Sequence, residues 1–201
     1  MVLQFANGGN LREYLGLNFL RLRWIDKLHI AKEIVLGLIF LHKNNIVHRD
    51  LHSKNILIHE GRPKIADFGL SKQTTEASKT SNSAGLGMLA YIDPKCFDTD
   101  TNGYKRNKKS DIYSFGVILW EISSGRPPFQ SFNQMMMIGV ISKEKKEEPI
   151  KGTPPQYVAL YKQCWNADPA NRPESNSILK TLNQLIADDV DFKLHPGFTV
   201  K

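Results

Sequence analysis

Between Ser110 and Ser123 the chain is apolar on nearly every side, so a helix there has almost no polar face to turn to water. A helix of that kind must be enclosed, either by lipid or by the rest of a domain. Lipid is excluded by length: the longest apolar run, Ile34–Leu41, has eight residues, against roughly 20 for a membrane span. The stretch therefore predicts a central helix with other elements packed around it. The 201 residues, 41% hydrophobic and 23% charged, suffice for one domain with such a core and are marginal for two.

Composition excludes several classes. No basic segment leads into an apolar stretch near Met1, so no secretory signal is expected. Cys96 and Cys164 can form neither a disulfide framework nor a four-ligand zinc site, and a reducing, cytoplasmic setting follows as the expectation, with no membrane partner. The net charge of +7 permits anionic partners without naming one. Lys105, Arg106, Lys108 and Lys109 hold much of the excess and read as a solvated basic loop. Their other reading, a nucleic-acid patch, predicts steeply salt-dependent affinity, and no nucleic-acid partner is expected.

Asn7-Gly8-Gly9-Asn10 is a turn that offers Asn10 as the cap of a helix from Leu11 to about Leu20. Ile25, Leu28, Ala31, Val35, Leu38 and His42 recur at three- and four-residue steps, which predicts a helix to Lys43, ended by Asn44-Asn45. Two short β-type runs, Ile56–Ile58 and Lys64–Ala66, flank Glu60-Gly61-Arg62-Pro63 and read as a hairpin. Residues 71–88, rich in Ser, Thr, Gly and Asn, read as a long mobile loop. The central helix stops at Gly125-Arg126-Pro127-Pro128, and further helices are expected at Phe132–Ser142, Pro155–Trp165 and Ser175–Ala187. The expected fold is mainly α, six to seven helices with one short hairpin.

The chemistry concentrates in His48-Arg49-Asp50-Leu51-His52-Ser53-Lys54-Asn55, followed twelve residues later by Asp67-Phe68-Gly69. Phosphoryl transfer asks a protein chiefly to position groups and neutralise charge. Asp50 can accept the proton of an attacking hydroxyl. Asn55 and Asp67 offer oxygen ligands suited to Mg²⁺, and Lys54 is a compact charge able to lean on a γ-phosphate. The hairpin between Asn55 and Asp67 would bring the two oxygen ligands together. As a bland alternative, all three could be caps or turn residues, which leaves their joint spacing unexplained.

This stretch resembles the catalytic loop H-R-D-L-x-x-x-N and the D-F-G motif of eukaryotic protein kinases. The rest of the chain agrees. Asp111-Ile112-Tyr113-Ser114-Phe115-Gly116 resembles the start of the kinase αF helix, whose Asp ties down the catalytic-loop backbone. Trp165-Asn166-Ala167-Asp168-Pro169 with Arg172-Pro173 looks like the αH–αI junction, and Tyr91-Ile92-Asp93-Pro94 like the end of the activation segment. Met1-Val2-Leu3-Gln4-Phe5-Ala6 is similar to the end of strand β5 and the hinge, with Leu3 as gatekeeper. The texture is that of the tyrosine-kinase-like group.

The resemblance implies the helical C-terminal lobe of a kinase domain over 1–187, with hinge 1–9, catalytic loop 46–55, activation segment 67–95 and a tail at 188–201. It implies ATP and Mg²⁺ as cofactors and a protein hydroxyl as acceptor. Asp50 would be the base, Lys54 the γ-phosphate contact, and Asn55 and Asp67 the metal ligands. Gln4, Phe5 and Ala6 would meet adenine through their backbone, with Leu57 under the ring. His48 would be a core histidine near Phe68. Arg49 would meet a phosphorylated residue among Thr74, Thr75, Ser78, Thr80, Ser81 and Ser83.

The pattern also breaks. The sequence begins at the hinge, without the glycine-rich loop, the V-A-I-K lysine or the αC glutamate, and Gly85-Leu86-Gly87 does not replace that loop. The chain alone is thus expected to be inactive, with an N-lobe or partner protein over its exposed face. A silent docking or scaffold module is the alternative function. His52 stands where serine/threonine kinases usually carry Lys, and Lys54 where many tyrosine kinases carry Arg; group membership tilts the reading to serine/threonine. Lys95 replaces the Glu of A-P-E, which in the family pairs with the arginine matched by Arg172. Two cations would face each other, loosening the segment unless Lys95 swings to solvent; a decayed copy or a locally rewired attachment would explain the departure. Met135-Met136-Met137 reads as packing or a soft docking surface, and zinc binding by His48 and His52 is not expected.

Overall fold

A computed structural model describes residues 6–68, 72–73, 86–97, 104–132, 136, 139, 141 and 145–194. In chain order these form α1 (Leu11–Asn18), α2 (Trp24–Lys43), β1 (Ile46–Val47), β2 (Ile56–His59), β3 (Arg62–Ile65), β4 (Lys72–Gln73), α3 (Lys108–Ser124), α4 (Pro155–Cys164) and α5 (Ser175–Leu194). The fold is mainly α, as expected. The helix anticipated at Phe132–Ser142 lies mostly outside the described residues, as do Met135 and Met137 of the methionine run.

The central position predicted for α3 is observed: Ser110 to Ser123 are buried without a break. Asn107 caps its start by accepting from the Lys109 N–H, and Gly125 ends it at φ 72°, a left-handed conformation that suits glycine. Midway along, Gly116 lets α4 approach; a Cβ there would sit 2.6 Å from the Trp165 backbone nitrogen. The large buried side chains Trp120, Trp165, Tyr157, Tyr161 and Phe115 fill the space around this helix.

Helix α1 begins with the expected cap, closed into a box: Asn10 accepts from the Glu13 N–H at 3.1 Å and the Glu13 carboxylate accepts from the Asn10 N–H at 3.3 Å. It ends at Asn18, short of Leu20, because the Asn18 side chain turns back to donate to the Tyr14 carbonyl. Helix α2 buries Leu28, Ala31, Val35, Leu38 and His42 along the predicted stripe. Asn44 follows it and Asn45, at φ 57°, turns the chain away. Helix α5 continues past Ala187 to Leu194.

The hairpin β2–β3 is tighter than its sequence suggests. Glu60 and Gly61 alone make the turn, at φ 50° and 74°, the pair of left-handed residues that matches strand twist in a two-residue loop. Arg62 and Pro63 thus belong to β3, with His59↔Arg62 and Ile58↔Pro63 in register. Pro63 reads as a breaker in sequence, but among the described residues β3 has β2 as its sole strand neighbour, and an edge strand tolerates the missing donor. A second antiparallel pair, Ile46↔Gln73 and Val47↔Lys72, joins β1 to β4. Its two-residue ladder carries no legible periodicity, and β4 falls within the stretch read as loop; the remainder of 71–85 lies outside the described residues. Among the described residues, no helix is long and apolar enough to cross a membrane.

Candidate active site

The loop from His48 to Asn55 is held from beneath by one side chain. The Asp111 carboxylate, in the first turn of α3 and 1% exposed, accepts the His48 N–H and the Arg49 N–H, each at 2.9 Å, while His42 Nε2 lies 3.0 Å from the same group. Those bonds secure Arg49 at φ 71°, a left-handed backbone that a side-chain-bearing residue adopts at a cost. His48 is fully buried; its Nε2 donates to the Ala66 carbonyl at 3.0 Å and its ring sits 5.4 Å from that of Phe68. It is the core histidine that the resemblance implied. Among the described residues there is no group of three or more His, Cys, Asp or Glu side chains that could hold a metal.

Asp50 and Asn55 are brought together directly. Asn55 Nδ2 donates to the Asp50 carbonyl at 2.9 Å and to its Oδ2 at 3.3 Å. That leaves the Asn55 amide oxygen turned away from the carboxylate. His52 caps the single 3₁₀ turn Ser53–Asn55: its Nδ1 accepts the Asn55 N–H at 3.2 Å. Nε2 is then the protonated nitrogen of the neutral ring, and it lies 3.7 Å from Asp50 Oδ2. The adjacent His52 ring holds the Asp50 carboxyl below its usual range, against the opposing effect of burial. Asp50 is therefore an ionised acceptor at neutral pH.

The hairpin brings Ala66, the residue before Asp67, back to Asn55. Ile56 pairs with Ile65, and the Ala66 N–H donates to the Asn55 carbonyl at 2.8 Å, so the residues flanking the hairpin lie side by side. Asp67 itself is exposed, at φ 60°. Two oxygen donors at the mouth of a hairpin fit a small hard cation that takes its remaining ligands from water and phosphate. Lys54 is exposed on the same 3₁₀ turn. Leu57 is half-buried on β2, where residues 8–10 run alongside: Gly8 N–H donates to the Ile58 carbonyl and Ile58 N–H to that of Gly9, both at 2.8 Å. A Cβ on Gly8 would come within 2.8 Å of the Ile58 side chain, so that approach requires glycine. Ala6, half-buried, immediately precedes this segment. Gln4, Phe5 and Leu3 lie outside the described residues, as do Thr74, Thr75, Ser78, Thr80, Ser81 and Ser83.

Two features escaped the sequence. The first is a buried polar node joining three elements to the loop. Glu121 of α3, 1% exposed, accepts from Arg12 Nε at 3.1 Å, from Ser53 Oγ at 3.0 Å and from the Tyr91 hydroxyl. Arg12 also donates to the Tyr91 oxygen at 2.8 Å. Burial pushes the Glu121 carboxyl and the Tyr91 hydroxyl up from their usual values. The second corrects the expectation at Lys95. The Arg172 guanidinium has its own counter-charge: it pairs with Asp93 through Nη1–Oδ2 at 2.6 Å and Nη2–Oδ1 at 2.8 Å. A carboxylate two residues earlier meets it instead.

The site is thus a loop tied down from beneath by α3, presenting the Asp50 carboxylate with the Asn55 amide against it. The family model for protein tyrosine and serine/threonine kinases matches residues 1–182, and the chain belongs to that family. It is 29% identical over 197 residues to the serine/threonine-protein kinase STY17 of Arabidopsis thaliana, covering 97% of this chain and 34% of that one. It is 32% identical over 198 residues to the dual specificity protein kinase zakA of Dictyostelium discoideum, covering 89% and 24%. With the serine/threonine/tyrosine-protein kinase HT1 of Arabidopsis thaliana it shares 30% identity over 187 residues, covering 92% and 46%. The chain thus spans less than half the length of these relatives.

Proposed function

We propose that this chain supplies the catalytic lobe for transfer of the ATP γ-phosphate to a serine or threonine hydroxyl of a protein. The observation that carries the reading is the joined pair Asp50 and Asn55, with Ala66, the residue before Asp67, bonded to the Asn55 carbonyl. Asp50, ionised and held by His52 and Asn55, orients the acceptor hydroxyl and takes its proton as the oxygen–phosphorus bond forms and the bond to the β-phosphate oxygen breaks. Asn55 and Asp67 would hold Mg²⁺, which when bound neutralises charge on the phosphates. Lys54 would contact the γ-phosphate. Gln4, Phe5 and Ala6 would meet adenine through their backbone, and Leu57 would lie beneath it. The names of the relatives, one serine/threonine, one serine/threonine/tyrosine and one dual specificity, support the acceptor class.

The test is phosphoryl transfer from labelled ATP to a generic protein substrate by the protein expressed from its full reading frame. Asp50→Asn is expected to lower kcat by about 10²–10⁴-fold. Nucleotide binding with no transfer in the wild type would instead establish a silent docking module.

A further inference from the structure

Arg172 and Asp93 make the most completely satisfied charged pair among the described residues. Both side chains are 0% exposed. Arg172 places all five of its N–H groups: two on Asp93, and one each on the carbonyls of Asn166 at 2.7 Å, Lys109 at 2.9 Å and Ala167 at 3.0 Å. Its face covers the ring of Tyr113 at 5.0 Å. Asp93 in turn accepts from Arg172 twice, from the Tyr104 hydroxyl at 2.9 Å and from the Lys95 N–H at 3.1 Å. Removing the carboxylate would leave a buried guanidinium without its counter-charge.

This pair sits at the base of the segment that borders Asp50. Met88, Tyr91, Ile92 and Asp93 line one small cavity together with Asp50 and His52. Tyr91 is further fixed by the Ser114 hydroxyl, which donates to its carbonyl at 2.7 Å. The Asp93 end of this run is therefore clamped to the α4–α5 junction through Arg172, and the Tyr91 end to α3.

We propose that Asp93 is a positioning residue for the protein acceptor: it carries, displaced by two residues, the attachment that the Glu of the family pattern would make from position 95. Its clasp on Arg172 sets the height of Met88–Ile92 against Asp50, and with it the path along which an acceptor chain lies. The nucleotide side of the site, built from β2, the hairpin mouth and residues 6–10, does not touch this clasp. The inference rests on the phosphoryl-transfer reading above for its kinetic part only.

The experiment compares wild type, Asp93→Asn, Lys95→Glu and the double variant Asp93→Asn/Lys95→Glu in the full-length protein. Two readouts are used: steady-state kinetics against a peptide acceptor and ATP, and amide hydrogen exchange over residues 88–97. Asp93→Asn is expected to raise the peptide KM by about tenfold or more, with the ATP KM unchanged. Exchange at 88–97 should speed up while α3 and α5 stay protected, which controls for folding. The double variant should recover both readouts, because the Lys95→Glu change restores a carboxylate within reach of Arg172. Equal losses in the two KM values, unchanged exchange in Asp93→Asn, or a double variant as impaired as the single one would each overturn the proposal. If the wild type transfers no phosphate, the functional reading fails, and the exchange comparison alone decides whether the clasp exists.

Discussion

At the scale of single residues, the site depends on how His52 divides its two nitrogens. One accepts the Asn55 N–H and the other faces Asp50, so the ring is both a turn cap and the main influence lowering the Asp50 pKa. A carboxyl depressed in the folded state adds stability above its unfolded pKa and loses that contribution as pH falls through the folded value. His52→Ala removes the ring that faces the carboxylate, so the Asp50 pKa rises and the acid limb of the kcat–pH profile moves to higher pH. The lost cap costs about 1 kcal/mol of stability in addition. An acid limb that does not move in His52→Ala would show that His52 does not set the Asp50 charge. The sequence marks His52 as a departure from the serine/threonine pattern, but the ring's double engagement depends on the 3₁₀ turn that its own side chain closes.

At the scale of elements, the helices that sequence reads well are those whose ends are written in local chemistry. Asn10 with Glu13, Asn44-Asn45 and Gly125 mark boundaries within one turn of their positions, and the all-apolar character of α3 fixes its place at the centre. The hairpin register is less legible because Pro63 mimics a stop, and the β1–β4 pair because two residues have no period. Contacts between distant segments are illegible in principle: Asp93 and Arg172 are separated by 79 residues, and only opposite charge hints at the match. Gly116 is a further case, since nothing local in α3 announces the Trp165 backbone against it. Gly116→Ala is expected to lower stability by about 1–3 kcal/mol through overpacking. Chemical denaturation should register that loss as a lower midpoint with an unchanged slope; an unaltered midpoint would mean that α4 shifts away freely.

At the scale of the whole molecule, α3 holds the His48–Asn55 loop and the Tyr91 segment at once. Asp111 carries the catalytic loop, Ser114 and Glu121 hold Tyr91, and Glu121 reaches Ser53 and Arg12. The loop from His48 to Asn55 is thus hung from one buried helix. The consequence concerns time. Loop amides ordinarily exchange their hydrogens through small local openings. The His48 and Arg49 amides are bonded to a carboxylate that reaches water only if the first turn of α3 leaves the core. They should therefore exchange at the rate of the slowest amides in α3, orders of magnitude behind exposed segments such as the Glu60-Gly61 turn. Asp111→Ala should release those two amides and, by leaving two buried donors unmet, destabilise the protein by about 2–5 kcal/mol. Fast exchange at His48 and Arg49 in the wild type would mean that the loop opens by itself. On the geometry observed, the loop and the core keep a single clock.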